Sequence, residues 1–425
     1  MQRRPWRAWV ACAIALASRS SVVLSQDMVM DHGQKAADST PKLFGGASGI
    51  LFGTRQSPAI DNRTLTEGYL SQPMLMGSAE IPRYDLSLAA TVNFEGLTLQ
   101  RGELNPGISG EGYVDRRHPH TYLHEVVATW QKSVVERARF SVTAGKGFAT
   151  FGTDDPMVRP FVHYPLNHHL SQILERAVVA GAGGYGPVAV EFSRFNGDEP
   201  EFPSDFPNSD RLFDSWAGRA SAHFRGVLEI QGSFASVVSP EVAAGGGLDQ
   251  KKWSASARYE SGGEYALAEV AQTQEFESSR DAFEFLTMLA EGSVTRARAT
   301  LSARVEQTDR PEEERTANPF RTPRPESDLS ILGRTRWTVV TVNASREFAV
   351  SRAKLSPFVE VGRAHVKSLD RFSVFDPATF HGPNNLWSIS AGVRFGLGMV
   401  HHRMGRYGAA LQKGAMKMDD MAMGQ

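Results

Sequence analysis

The 425-residue chain carries 46 Lys plus Arg against 47 Asp plus Glu, a formal net charge of −1, so no basic field exists to gather nucleic acid. Its one cysteine, Cys12, leaves no pair for a disulfide. Beyond the N-terminus no apolar run reaches the roughly 18 residues that a membrane helix needs, so any membrane span must be made of strands.

In chain order, Arg3, Arg4 and Arg7 precede a short apolar stretch over residues 9–17, the layout of an export signal. Cleavage after Ser25, following Val23 and Leu24, gives a signal of residues 1–25; cleavage after Ala17 is the alternative. Arg19 interrupts the apolar stretch, which argues against a retained anchor helix. Residues 26–84 show no clear period and are expected to form an extended, partly disordered segment in the periplasm or the lumen.

From residue 85 onward the dominant period is two, the spacing of side chains on opposite faces of a strand. Trp387, Ile389, Ala391, Val393, Phe395 and Leu397 alternate with Ser388, Ser390, Gly392, Arg394 and Gly396. The same contrast recurs for Leu301, Ala303 and Val305 against Ser302, Arg304 and Glu306, and for Val188, Val190 and Phe192 against Glu191 and Ser193. Strands are predicted over 85–101, 121–132, 138–148, 171–182, 187–196, 214–224, 227–239, 250–260, 264–276, 282–291, 294–307, 331–346, 354–366 and 385–397, about 14 in all with a range of 12–16. Connections alternate between long (102–120, 149–170, 197–213, 240–249, 308–330, 367–384) and short (183–186, 225–226, 261–263, 292–293); only the link after Phe276 breaks the alternation. A Greek-key sandwich has no reason to sort its loops this way. An antiparallel up-and-down transmembrane β-barrel over residues 85–397 does, and an even strand count would put both termini in the periplasm.

This alternation and loop sorting resemble bacterial outer-membrane porins. The resemblance implies an outer-membrane location, lipids and the barrel assembly machinery as partners, passage of small polar solutes, and assembly as a homo-oligomer as an option. One departure stands out: such chains usually end on an aromatic residue, and here Phe395 is followed by a tail over 398–425.

Charged residues on the polar parity would line the lumen, because Arg or Lys facing lipid costs about 2–4 kcal/mol at mid-membrane. The candidates are Arg176, Glu191, Arg194, Glu229, Arg298, Arg304, Glu306 and Arg394. They form either a wet charged pathway or an Arg/Glu ladder with little open pore. The segment Asp198-Glu199-Pro200-Glu201-Phe202-Pro203 resembles the inward third loop of general porins, which implies that Glu199, Glu201 and Asp205 face basic wall residues in a constriction; a plain surface loop is the alternative.

Metal readings rest on histidine and methionine. His118, His120 and His124 share one parity and as a group would suit zinc or copper; their continuation into Val126, Ala128 and Trp130 favours an interfacial girdle instead. The stretch from Gly112 through Asp115, Arg116 and Arg117 to His120 resembles one in poorly characterised bacterial outer-membrane proteins and implies no activity. Met28, Met30 and His32 near one end, with His401, His402, Met404, Met416, Met418, Met421 and Met423 at the other, resemble the Met/His-rich segments of copper-tolerance outer-membrane proteins. That implies copper as an optional ligand of a chain that needs no cofactor. Catalytic signatures are absent: no Gly-x-Ser-x-Gly elbow, no His-Glu-x-x-His and no phosphate loop. The sequence thus favours a channel for small polar solutes or ions, with a copper-tolerance protein and a closed structural barrel as alternatives, and no enzyme.

Overall fold

The computed structural model describes residues 40–58, 62–98, 120–135, 137–154, 156–166, 168–200, 202–313, 331–371, 373–398 and 404–410. The strands are β1 (Lys42–Ser57), β2 (Leu65–Ile81), β3 (Leu86–Asn93), β4 (Leu123–Val135), β5 (Ala138–Gly147) and β6 (Arg176–Tyr185). They continue with β7 (Val188–Phe195), β8 (Ser215–Phe224), β9 (Leu228–Val237), β10 (Asp249–Ser261), β11 (Glu264–Glu277) and β12 (Arg280–Arg296). The last are β13 (Ala299–Glu313), β14 (Ile331–Arg346), β15 (Phe348–Val350), β16 (Ala353–Ser368) and β17 (Asn385–Gly398). Neighbours pair antiparallel throughout, and β17 pairs back onto β1 with Gly46 opposite Gly398. Closure leaves no open edge, which a lipid environment requires. Because β15 continues β14 past Glu347 and both pair with β16, the 17 segments make 16 staves.

The expected count of 14 is therefore corrected to 16, and the missing pair is β1 and β2, inside the stretch expected to lack order. Their alternation is hidden because both faces are apolar: Ile50, Phe52, Tyr69, Met74 and Met76 point inward and are buried, while Leu51 and Leu75 point outward and are exposed. A register shift between Ser48 and Ile50, opposite Gln72 at φ 52° and Pro73, further blurs the period. A second correction moves the β12–β13 turn from residues 292–293 to Ala297 and Arg298, both with positive φ (49° and 66°), as a tight two-residue hairpin demands. Gly292 instead lies within β12, opposite Ala303.

Seven connections at one end span two to four residues. Those at the other end include 94–122, 148–175, 196–214, 238–248, 314–330 and 369–384, with shorter ones at 58–64 and 278–279. Lys42 and Gly398 both lie at the short-turn end. Outward faces carry Leu51, Val190, Phe192, Ile230, Leu301, Trp387 and Ile389 exposed, the oily belt expected from the sequence.

The core is inside the barrel and is built on the connection 148–175. Phe151 and Ile173 pack with Val178, Phe195 and Ala235; Val162 packs with Ile50, Phe52 and Phe358; Leu166 packs with Trp337 and Leu386. Burying each such side chain is worth about 1.5–3 kcal/mol, one of the contributions that offset the entropy lost in ordering a long connection.

Candidate functional site: a lumen crossed by a loop and by the C-terminal segment

A buried connection must hand its backbone N–H groups to partners, and the wall supplies them. Strand alternation turns Ser193 (β7), Ser233 (β9), Glu306 (β13) and Glu360 (β16) inward. Thr150 N donates to Ser193 Oγ at 3.1 Å, Gly152 N to Ser233 Oγ at 3.0 Å, Leu166 N to Glu306 at 2.8 Å, and Val162 N and His163 N to Glu360 at 2.9 and 3.2 Å. Asn343 donates to the same Glu360 at 3.0 Å, and His163 Nδ1 lies against it. Loop carbonyls are met from the wall as well: Arg304 donates to His163 O at 2.8 Å and Arg394 to Phe161 O at 2.8 Å.

The charges interlock instead of forming two facing rows. Arg304 Nε bonds Glu291 at 2.8 Å and its guanidinium lies 4.1 Å from the centre of the Phe161 ring. Arg159, on the loop, lies 3.7 Å from Glu291 and 3.8 Å from Glu269. Arg219 grips Glu191 through two bonds of 2.6 and 2.7 Å and also donates to Gly152 O at 3.1 Å. Asp154 meets Arg258. Each of these carboxylates, Glu191, Glu269 and Glu291 on the wall and Asp154 on the loop, is no more than 5 % exposed, so wall and loop are packed together at this level of the lumen.

The second occupant is the chain beyond the last strand. Gly398, at φ 69°, takes a left-handed turn where a Cβ would meet Gly45 O at 2.3 Å. Residues 404–410 then lie within the barrel against β4 to β9. Arg406 reaches Glu229 at 2.7 Å, Glu191 at 3.5 Å, Asp154 at 3.5 Å and Gln231. Tyr407 Oη donates to Glu125 at 2.6 Å and accepts from Phe148 N at 3.1 Å, and Ala409 N donates to Ser141 Oγ at 2.9 Å. Met404 packs on Phe148 and Leu174.

Of the predicted lining residues, Arg176, Glu191, Glu229, Arg304, Glu306 and Arg394 face inward. Two do not. Arg194, two residues on from the outward Phe192, is on the outer face near the long-loop end, donating to Phe213 O. Arg298 sits in the β12–β13 turn. The expected constriction loop is also corrected: the inward connection is 148–175, whereas 196–214 stays at the rim. There Glu199 pairs with Arg176 at 2.7 Å and Asp205 accepts from Phe202 N at 2.8 Å, closing its own turn; Glu201 lies outside the described residues. Arg159, Arg219, Glu269, Glu291, Glu360 and Arg406 are among the buried lumen residues, within the described residues, that sequence reading missed.

The histidine girdle is corrected too. A bulge in the β3–β4 pairing, between Thr91 opposite Glu125 and Val92 opposite Leu123, lets His124 turn inward against the parity of Val126. His124 Nδ1 lies 2.7 Å from Glu175, and His120 Nδ1 lies 2.7 Å from Glu95, with the two rings 5.4 Å apart. Burial alone would raise the Glu175 pKa, but His124, with His120 and Lys146, takes it down to about 2. Burial likewise works against a charged His120, yet the hydrogen bond and charge of Glu95 outweigh it and its pKa is raised. Each histidine thus has its own carboxylate, and among the described residues no group of three or more His, Cys, Asp or Glu is placed to hold a metal ion. His118, Met416, Met418, Met421 and Met423, and the export signal, lie outside the described residues.

No protein-family model matches the sequence, and no curated protein matches it. Among solved structures, an anion-selective porin from Comamonas acidovorans is similar over 84% of this chain and 99% of that one, with a TM-score of 0.50 at 9% identity. OmpF of Salmonella typhi (9% identity, 84% and 97% covered, TM-score 0.48) and the trimer form of OmpT of Vibrio cholerae (11%, 84% and 99%, 0.46) are also similar. At such identities the likeness is one of fold: a closed, 16-stave antiparallel barrel of the porin type.

Proposed function

We propose that the protein is a bacterial outer-membrane channel of the porin type, passing small polar solutes or ions along a charged lumen narrowed by the connection 148–175. The observation that carries this reading is a closed barrel with an oily outer belt and inward-facing carboxylates and guanidinium groups, the arrangement that serves a polar pathway through lipid. On this reading the short-turn end and both termini face the periplasm, and residues 1–25 direct export. The packing of loop against wall within the lumen favours low conductance at rest. Single-channel recording in planar bilayers tests the proposal. Small, resolvable current steps are expected, and no steps above background from folded protein would remove it.

A further inference from the structure

Arg406 is held by the barrel as a ligand is held. Three carboxylates, Asp154, Glu191 and Glu229, converge on its guanidinium together with the Gln231 amide oxygen. Arg406 itself is 3 % exposed. The wall is shaped for the residues that follow it: a Cβ on Gly147 would meet Tyr407 Oη at 2.5 Å, and one on Gly408 would meet Ser141 Oγ at 2.3 Å. The segment is also tied to the inward loop, because Arg219 donates to Gly152 O and Gly405 O at 3.1 Å each. Two other arginines, Arg219 and Arg258, already serve Glu191 and Asp154. Withdrawing Arg406 would leave the three buried carboxylates with Arg219, Arg258 and His223, which lies 3.4 Å from Glu229, and so with one guanidinium fewer than before, which favours capture of another cation. A planar guanidinium suits such a convergence of oxygens better than an ammonium does.

We propose that the recess formed by Asp154, Glu191, Glu229 and Gln231 is a binding site for guanidinium-bearing solutes, and that residues 404–410 occupy it as a tethered pseudo-ligand that blocks the lumen until displaced. The inference builds on the channel reading and extends it to a solute class and a means of control. A tethered competitor needs only modest intrinsic affinity, since its effective concentration is on the order of millimolar. A free solute at higher concentration can therefore displace it.

The test uses the full-length protein with Cys12→Ser and Ala410→Cys, alone and combined with Arg406→Ala. Reaction of the new thiol with a membrane-impermeant maleimide should be at least tenfold faster with Arg406→Ala than without it. L-arginine amide should accelerate labelling of the protein that keeps Arg406, while L-citrulline amide, similar in shape and lacking the guanidinium charge, should not. Equal rates with and without Arg406 overturn the pseudo-ligand, and equal effects of the two amides overturn the guanidinium site. In bilayers, Arg406→Ala should raise unitary conductance severalfold and make it sensitive to L-arginine amide. Silence from every variant would sink the channel reading alone, because the labelling rates decide independently whether the segment is seated.

Discussion

Two long connections leave the same end of the barrel and meet opposite fates. The connection 148–175 runs through the lumen with Phe151, Phe161, Val162, Tyr164 and Ile173 all at 2 % exposure or less, whereas 196–214 stays at the rim with Phe202 at 56 % and Phe206 at 72 %. Both carry acids, prolines and aromatics, and 148–175 is the richer in apolar residues. What also separates them is whether the wall opposite offers apolar contacts and acceptors for backbone N–H groups. The first finds Ile50, Phe52, Trp337, Glu306 and Glu360. The second closes its own turns, through Asp205 on Phe202 N and Asn208 on Asp210 N, and leans on neighbouring connections at the rim, with Glu199 N donating to Pro240 O at 2.9 Å.

Glu360→Ala should break that difference most severely. It strips the acceptor from Val162 N, His163 N and Asn343 at once, a loss of about 3–5 kcal/mol, read as a lower unfolding midpoint in detergent and new protease cuts within 148–175. Asp205→Ala should change stability by about 0.5 kcal/mol or less. If the two variants behave alike, the inward loop is not held by the wall. Next in size is an aromatic pair: Phe161→Ala should cost about 3 kcal/mol, as a buried ring packed beneath Arg304, and Phe206→Ala about 0.5 kcal/mol or less. Unfolding of both in one denaturant series checks it.

Arg211→Ala sharpens the contrast from the other side. Arg211 ties the rim loop to its neighbour through Ser239 O at 3.0 Å and Val242 O at 2.9 Å. Its loss should cost about 1–3 kcal/mol locally and expose 196–214 to protease, leaving unitary conductance unchanged. A conductance change would mean that the rim loop also shapes the pore.

The smallest effect concerns the connection 94–122, seated by His120 on Glu95. The raised pKa of His120 gives a contribution fully present below its ordinary 6.5 and lost as pH rises through the higher folded value. The lowered pKa of Glu95, where burial opposes the charge but His120, Ser71 and Gln72 prevail, gives one present above 4.5 and lost as pH falls through the lower folded value. Seating should therefore be best between about pH 4.5 and 6.5. The protection of Gln72 N–H, which donates to Glu95 at 3.0 Å, measured as hydrogen exchange relative to the intrinsic rate at each pH, should be highest in that window, and Glu95→Gln should flatten the profile.

The misplacement of the constriction loop follows from the unread hairpin. With β1 and β2 missing, 197–213 counts as the third outer connection; with them restored, 148–175 does. A signal was nonetheless present, because Phe148, Phe151, Met157, Phe161, Val162, Tyr164 and Leu166 are too many apolar groups for a loop in water. For His124 no such signal existed, since a bulge depends on the partner strand and not on local sequence. Arg194 was legible: counting by twos from Phe192 puts it on the outer face.

By itself the sequence determined the period of two, the oily outward face from β7 to β17 and the sorting of long and short connections, because each is a local rule about which side of a strand meets lipid or polar groups. Tertiary structure alone decided the number of staves, the inward turn of His124, the route of residues 148–175 and the seat of Arg406. Each of these depends on what lies across the lumen, and those partners, Glu360 nearly 200 residues from His163 and Glu229 some 177 from Arg406, become neighbours only when the barrel closes.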